Sequence, residues 1–293
     1  MGAAVEIPRH LLENWASWRL GDVEALAADV RARCAEAVRA WDLGSLTPLP
    51  GGEVALVMAA RVASGEAVLK VSPRSPGAAP GHEAEALALW AGAGVAPALL
   101  GVRDGGHTLL LERVRPGLSL RDTGAGAQEI LQTIGALCRR IHLRVEHHRL
   151  PTLAEHARED GWFDALAGTP ECAELQRLCA SSAADRLLHV DLHWLNVLRG
   201  ADGWLAIDPK GCVGDPCAEV WALFDGPPRT GIPCDPAAAR AHVRRLVDVY
   251  ARAAGLDPER VDAWVRIRAL VTLAQADPAA IREPGLARLA ARR

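Results

Sequence analysis

The strand-forming pattern of this chain stops at Arg115-Pro116-Gly117, and nearly all periodicity after that point is helical. Before it, Val23, Leu26, Val30, Cys34, Val38 and Trp41 recur at helical spacing over residues 23–41. A strand is expected from Glu53 through Met58 and a second over Ala67–Val71, joined by a turn at Ala63-Ser64-Gly65-Glu66. The prolines and glycines of residues 72–81 predict a loop, and residues 83–91 a helix stopped by Gly92-Ala93-Gly94. Residues 98–102 and 108–112 read as a hairpin around Asp104-Gly105-Gly106. Beyond the junction, Ile130, Ile134, Leu137, Cys138, Ile141 and Val145 predict one long amphipathic helix. Asp235-Pro236 and Asp257-Pro258 open two more, over 236–254 and 257–276. These elements predict an α+β chain of two lobes. Residues 1–114 form an antiparallel sheet with helices, including a helical extension over about 1–45, and residues 115–293 a mainly helical lobe.

Half of the 293 residues are hydrophobic, enough for two compact units of about 100–200 residues each. A net charge of −3 offers no basic footprint for nucleic acid. No run of about 18 apolar residues predicts a membrane span. The first ten residues lack the basic start and apolar core of a signal peptide. Seven cysteines without a CxxC pair suit reduced thiols in a cytoplasmic protein.

The chemistry is concentrated in His189-Val190-Asp191-Leu192-His193-Trp194-Leu195-Asn196, which lies between the short apolar pieces Leu187-Leu188 and Trp204-Leu205-Ala206-Ile207, and in Ile207-Asp208-Pro209-Lys210. Asp191 is placed to take a hydroxyl proton, while Asn196 and Asp208 offer oxygen ligands suited to magnesium. That order is the layout of a kinase catalytic loop and its metal-binding aspartate. In the bland alternative Asp191 and Asn196 merely cap turns. His189, Asp191 and His193 also resemble part of a zinc set, but the only histidine after residue 193 is His242, in an expected helix. Lys70, ending the pattern Ala-Val-Leu-Lys, can reach phosphates as a point charge, with Glu83 or Glu85 as its partner. Gly51-Gly52 forms a turn whose amides can cradle phosphate, and Glu112-Arg113-Val114 ends the strand before the junction. A nucleotide pocket is expected near that junction.

These residues resemble the aminoglycoside phosphotransferase family, in its streptomycin 6-phosphotransferase branch, which includes hydroxyurea-type resistance kinases. The resemblance rests on residues 188–198, residues 204–210, Val213-Gly214-Asp215-Pro216, Thr108–Arg113, Val68-Leu69-Lys70 and Glu83-x3-Leu87-x2-Trp90. It implies a protein-kinase-like fold, with Asp191 as catalytic base and Asn196 and Asp208 on magnesium. It further implies that Lys70 pairs with Glu83, that Gly51 and Gly52 meet phosphate, and that Glu112 and Val114 hold adenine. ATP is the implied donor, with GTP possible. The acceptor would be a small cationic alcohol, for which Asp160, Asp164, Glu219 and Asp225 are candidate carboxylates. A monomer or homodimer without nucleic-acid or membrane partners is expected. The alternatives are a kinase of another natural product or metabolite alcohol, and a nucleotide-binding module without transfer. The sequence departs from the family pattern in three places. Val190 stands where many relatives have glycine, Ala55 where many have serine, and Glu219 where aspartate is usual.

Overall fold

The computed structural model describes residues 5–75, 80–182, 184–224 and 226–275. Its chain contacts divide into two units, which meet in sequence at Val114 and Arg115.

The first unit comprises the described residues up to Gly92, together with Pro97–Val114. It opens with helices α1 (Arg9–Ser17) and α2 (Val23–Ala40). Five strands follow: β1 (Thr47–Pro48), β2 (Leu56–Val62), β3 (Gly65–Val71), β4 (Leu99–Arg103) and β5 (Thr108–Glu112), with α3 (Pro80–Leu89) between β3 and β4. They form an antiparallel sheet in the order β1-β2-β3-β5-β4, so β3 is the middle strand. Alternation decides which face is dry. Ala67, Leu69 and Val71 of β3, with Leu56, Met58 and Ala60 of β2, pack into one core with Leu11 and Trp15 of α1 and Val30, Cys34 and Ala37 of α2. Lys70 lies between Leu69 and Val71 and therefore points to the opposite face. Arg33 fastens α2 to the sheet: its guanidinium binds Asp29 and donates to the carbonyls of Ser72 and His107.

The second unit comprises Ala93–Ala96 and the described residues from Arg115 onward. The short piece Ala93–Ala96 belongs here because Val95 O accepts from Ala206 N at 2.7 Å, and Gly94 O from Arg140 Nη2 at 2.6 Å. Its helices are α4 (Ala127–Ile141), α5 (Leu153–Glu159), α6 (Trp162–Ala165), α7 (Pro170–Ala180), α8 (Pro227–Thr230), α9 (Pro236–Ala254) and α10 (Pro258–Gln275). Gly135 lets α4 and α9 approach closely, since a Cβ there would lie 2.8 Å from Ala253 Cβ. Two small ladders complete the unit. β6 (Leu187–Leu188) pairs with β9 (Cys212–Val213), and β7 (Val197–Arg199) with β8 (Trp204–Ala206).

Several elements differ from the sequence expectations. The strand expected from Glu53 begins at Leu56, because the carbonyls of Glu53 and Val54 are taken by side chains of α1. The helix expected to reach Val145 ends at Ile141, and Val145 instead donates its amide to Asp185 O. Helices α5, α6, α7 and α8 were not anticipated, whereas α1 falls within the expected helical extension. α5 carried a readable signal, the capping box in which Thr152 and Glu155 satisfy each other's amides. No described helix is long and apolar enough to cross a membrane.

Candidate active site

In the first unit, Lys70 Nζ donates to both carboxylate oxygens of Glu83 at 2.7 Å, and both residues are about nine-tenths buried. The ladder fixes the lysine, which sits opposite Val57 on one side and Leu109 on the other. The first turn of α3 supplies the glutamate. Gly51 and Gly52 lie in the connection between β1 and β2 with φ of 95° and 80°, a region that favours glycine. A Cβ on Gly52 would stand 2.7 Å from Ala55 O. Glu112 exchanges contacts with Ala98: its amide donates to Ala98 O, and its carboxylate accepts from Ala98 N. Val114 is buried at the end of the unit.

In the second unit, two ladders hold the loop that carries Asp191. β6 delivers His189 and Val190, and β7 leaves directly after Asn196. Val197 is opposite Ala206, and Ile207 N donates to Asn196 O at 3.0 Å, so Asn196 and Asp208 emerge at the same end of the β7–β8 hairpin. Asn196 Nδ2 donates to Asp191 O at 2.9 Å, which leaves the amide oxygen as the ligand it can offer. With the Asp208 carboxylate this gives two hard oxygen donors. A magnesium ion that completes its octahedron with waters and phosphate oxygens fits that set.

His189 is fully buried under the loop, its Nε2 2.8 Å from Ile207 O and its backbone O accepting from Lys210 N. Burial pushes its pKa down and keeps the ring neutral. No group of three or more His, Cys, Asp or Glu among the described residues could hold a metal, so the partial zinc set of the sequence does not assemble. Asp191 is partly buried, and burial raises its pKa. Lys210 Nζ and His193 Nε2, each 4.0 Å from its carboxylate, oppose that rise. A raised carboxylate is a stronger proton acceptor than an ordinary aspartate.

Glu219 faces the loop from beneath. It is 2% exposed, and one carboxylate oxygen accepts from both His189 N at 2.8 Å and Val190 N at 2.9 Å. Its carbonyl accepts from Tyr250 OH. Burial raises its pKa, but His142, His189 and the Val190 amide outweigh that effect and hold the carboxyl below its usual range. Val190 itself has φ 70°, and Asp208 φ 60°. A β-branched residue in that region is strained.

Of the other acceptor candidates, Asp160 is exposed and accepts from Trp162 Nε1 at 2.7 Å, Asp164 is exposed on α6, and Asp225 lies outside the described residues. Sequence reasoning missed Arg268. Its guanidinium lies 3.8 Å from the ring centre of Trp162 and 5.1 Å from that of Trp221, and burial pulls its pKa down to about 10. No local pattern marks it, since its partners lie 106 and 47 positions away in sequence.

A buried lysine–glutamate pair on a five-stranded antiparallel sheet, and an Asp-x4-Asn loop followed by a second aspartate in a helical unit, define a phosphotransferase of the protein-kinase-like fold. The profile of the aminoglycoside/hydroxyurea antibiotic resistance kinase family matches residues 41–278, and the chain belongs to that family. It is 34% identical to a hydroxyurea phosphotransferase of Kitasatospora aureofaciens, with 90% of this chain and 78% of the relative covered. It is 31% identical to a streptomycin 6-kinase of Streptomyces griseus, over 91% and 89%. Among solved structures it resembles aminoglycoside phosphotransferase APH(4)-Ia in ternary complex with ADP and hygromycin B. There the TM-score is 0.52 at 17% identity, covering 82% of this chain and 90% of that one, a likeness of fold alone.

Proposed function

We propose that this chain transfers the γ-phosphoryl group of ATP to a hydroxyl of a streptomycin-like aminoglycoside in the cytoplasm. The observation that carries the reading is Asp191, desolvated yet flanked by Lys210 and His193, with the oxygen donors Asn196 on its own loop and Asp208 at the same end of the β7–β8 hairpin. Asp191 orients the acceptor hydroxyl and takes its proton. Lys70, held by Glu83, meets the phosphates, and the glycine turn at Gly51-Gly52 offers them its amides. Bound magnesium supplies charge neutralisation between the phosphates and the Asn196 and Asp208 oxygens. Glu112 and Val114 offer backbone groups to the adenine. GTP can use the same phosphate contacts.

Glu219 is assigned the task of bracing the loop through two amides rather than meeting the acceptor. Asp160 and Asp164 remain the exposed carboxylates for a cationic acceptor. Free thiols at all seven cysteines suit a reducing compartment. A second reading, phosphorylation of hydroxyurea, is favoured by the 34% identity to the Kitasatospora enzyme. The test is an acceptor panel of streptomycin, other aminoglycosides and hydroxyurea with ATP and magnesium, scored by the mass gain of one phosphoryl group. Streptomycin gains it on the first reading and hydroxyurea on the second.

A further inference from the structure

Three consecutive carbonyls of the glycine turn are taken by side chains of a single helix. Gly52 O lies 3.3 Å from His10 Nε2, Glu53 O accepts from Asn14 Nδ2 at 2.9 Å, and Val54 O accepts from Trp15 Nε1 at 2.8 Å. His10 and Asn14 are four residues apart and share a face of α1. Trp15 and Leu11 are buried in the core of the first unit, so the helix that makes these contacts is itself anchored. α1 also precedes the family-matched segment 41–278.

The turn needs such support. Two adjacent glycines at positive φ have more conformations to lose than any other pair of residues. A loop ordered only by its ligand subtracts that entropy from the ligand's affinity. With the carbonyls held by α1, the amides of Gly51, Gly52 and Glu53 have no protein acceptor among the described residues and are available to an anion.

We infer that α1 is a positioning element of the nucleotide site: Asn14 and Trp15, assisted by His10, hold the Gly51-Gly52 turn in its phosphate-receiving shape before ATP arrives. This rests on the ATP reading given above. It separates α1 from a helix that merely adds to the core, because a phosphate-specific consequence follows. The turn serves the β- and γ-phosphates and not the adenine. Loss of the clamp therefore weakens ATP and ADP while leaving AMP alone.

The test compares Asn14→Leu, Trp15→Phe and the double variant with the wild-type chain, measuring Kd for ATP, ADP and AMP, the KM of the acceptor, and Tm. Leucine keeps the size of Asn14 and removes its donor without adding charge. Phenylalanine keeps most of the Trp15 ring and removes Nε1–H. Each single variant is expected to weaken ATP about 3- to 10-fold and the double variant by more, the scale of one or two net hydrogen bonds. AMP affinity and acceptor KM stay within about 2-fold, and Asn14→Gln restores part of the ATP affinity. A folded Asn14→Leu chain with wild-type ATP affinity, or equal weakening of ATP and AMP, overturns the inference and leaves the ATP reading intact. A wild-type chain that binds no ATP sinks both.

Discussion

Lys70 reaches Glu83 from a seven-residue central strand with ladder partners on both sides, whereas Asp191 sits on a loop whose flanking ladders are two and three residues long. The first arrangement is held by repeated backbone pairing. In the second, buried side chains replace the missing ladder: Glu219 accepts two loop amides, His189 bridges to Ile207, and Asn196 ties back to Asp191. The second arrangement also contains two strained residues, Val190 and Asp208, while the Lys70–Glu83 site contains none. A sheet fixes a charged side chain through register, whereas a loop fixes one through a few desolvated polar contacts, each of which matters more.

Breaking the comparison at its strongest point means removing Glu219. Glu219→Ala leaves the amides of His189 and Val190 buried without an acceptor, each costing about 1–3 kcal/mol, so the loss of stability should total about 2–6 kcal/mol. Chemical denaturation reads it, and Glu219→Gln, which retains an acceptor, should lose clearly less. Next is the ion pair. Lys70→Met leaves Glu83 buried and uncompensated and should cost about 3–5 kcal/mol at most, while Lys70→Met with Glu83→Leu recovers much of that loss. A double-mutant cycle by denaturation measures the coupling, and additive losses would refute the pairing. Substituting the glycine turn comes third. Gly52→Ala meets both positive φ and the Ala55 carbonyl, and should cost about 1–3 kcal/mol in the same assay. The smallest effect sharpens the contrast in sign. Val190→Gly relieves a β-branched residue at φ 70° and should stabilise by about 1 kcal/mol, seen as a rise in Tm.

The same contrast governs what could be read from the sequence. β3 and β5, α9 and α10 were legible because periodicity and Asp-Pro start signals are local. Places in a strand and the following helix left Lys70 with Glu83 or Glu85 as its partner, the family resemblance favoured Glu83, and Lys70 is in contact with Glu83. The spacing of Asp191, Asn196 and Asp208 was equally local. Glu219 was read as a carboxylate for the acceptor because nothing near it in sequence shows that its oxygen meets amides 29 and 30 residues upstream. The start of β2 was misplaced for a similar reason: α1, some 39 residues away, takes the carbonyls that a ladder would otherwise use. Long-range polar contacts have no period, and this is why the supports of the site were less visible than the site.

The central claim is that Asp191 is the base of an ATP-dependent transfer. It is tested most directly by single-turnover phosphorylation of the best acceptor from the panel, with wild type and Asp191→Asn side by side and ATP binding measured on both. The account predicts unchanged ATP affinity and a transfer rate at least about 100-fold lower in the variant. Transfer at the wild-type rate by a folded Asp191→Asn chain would contradict it.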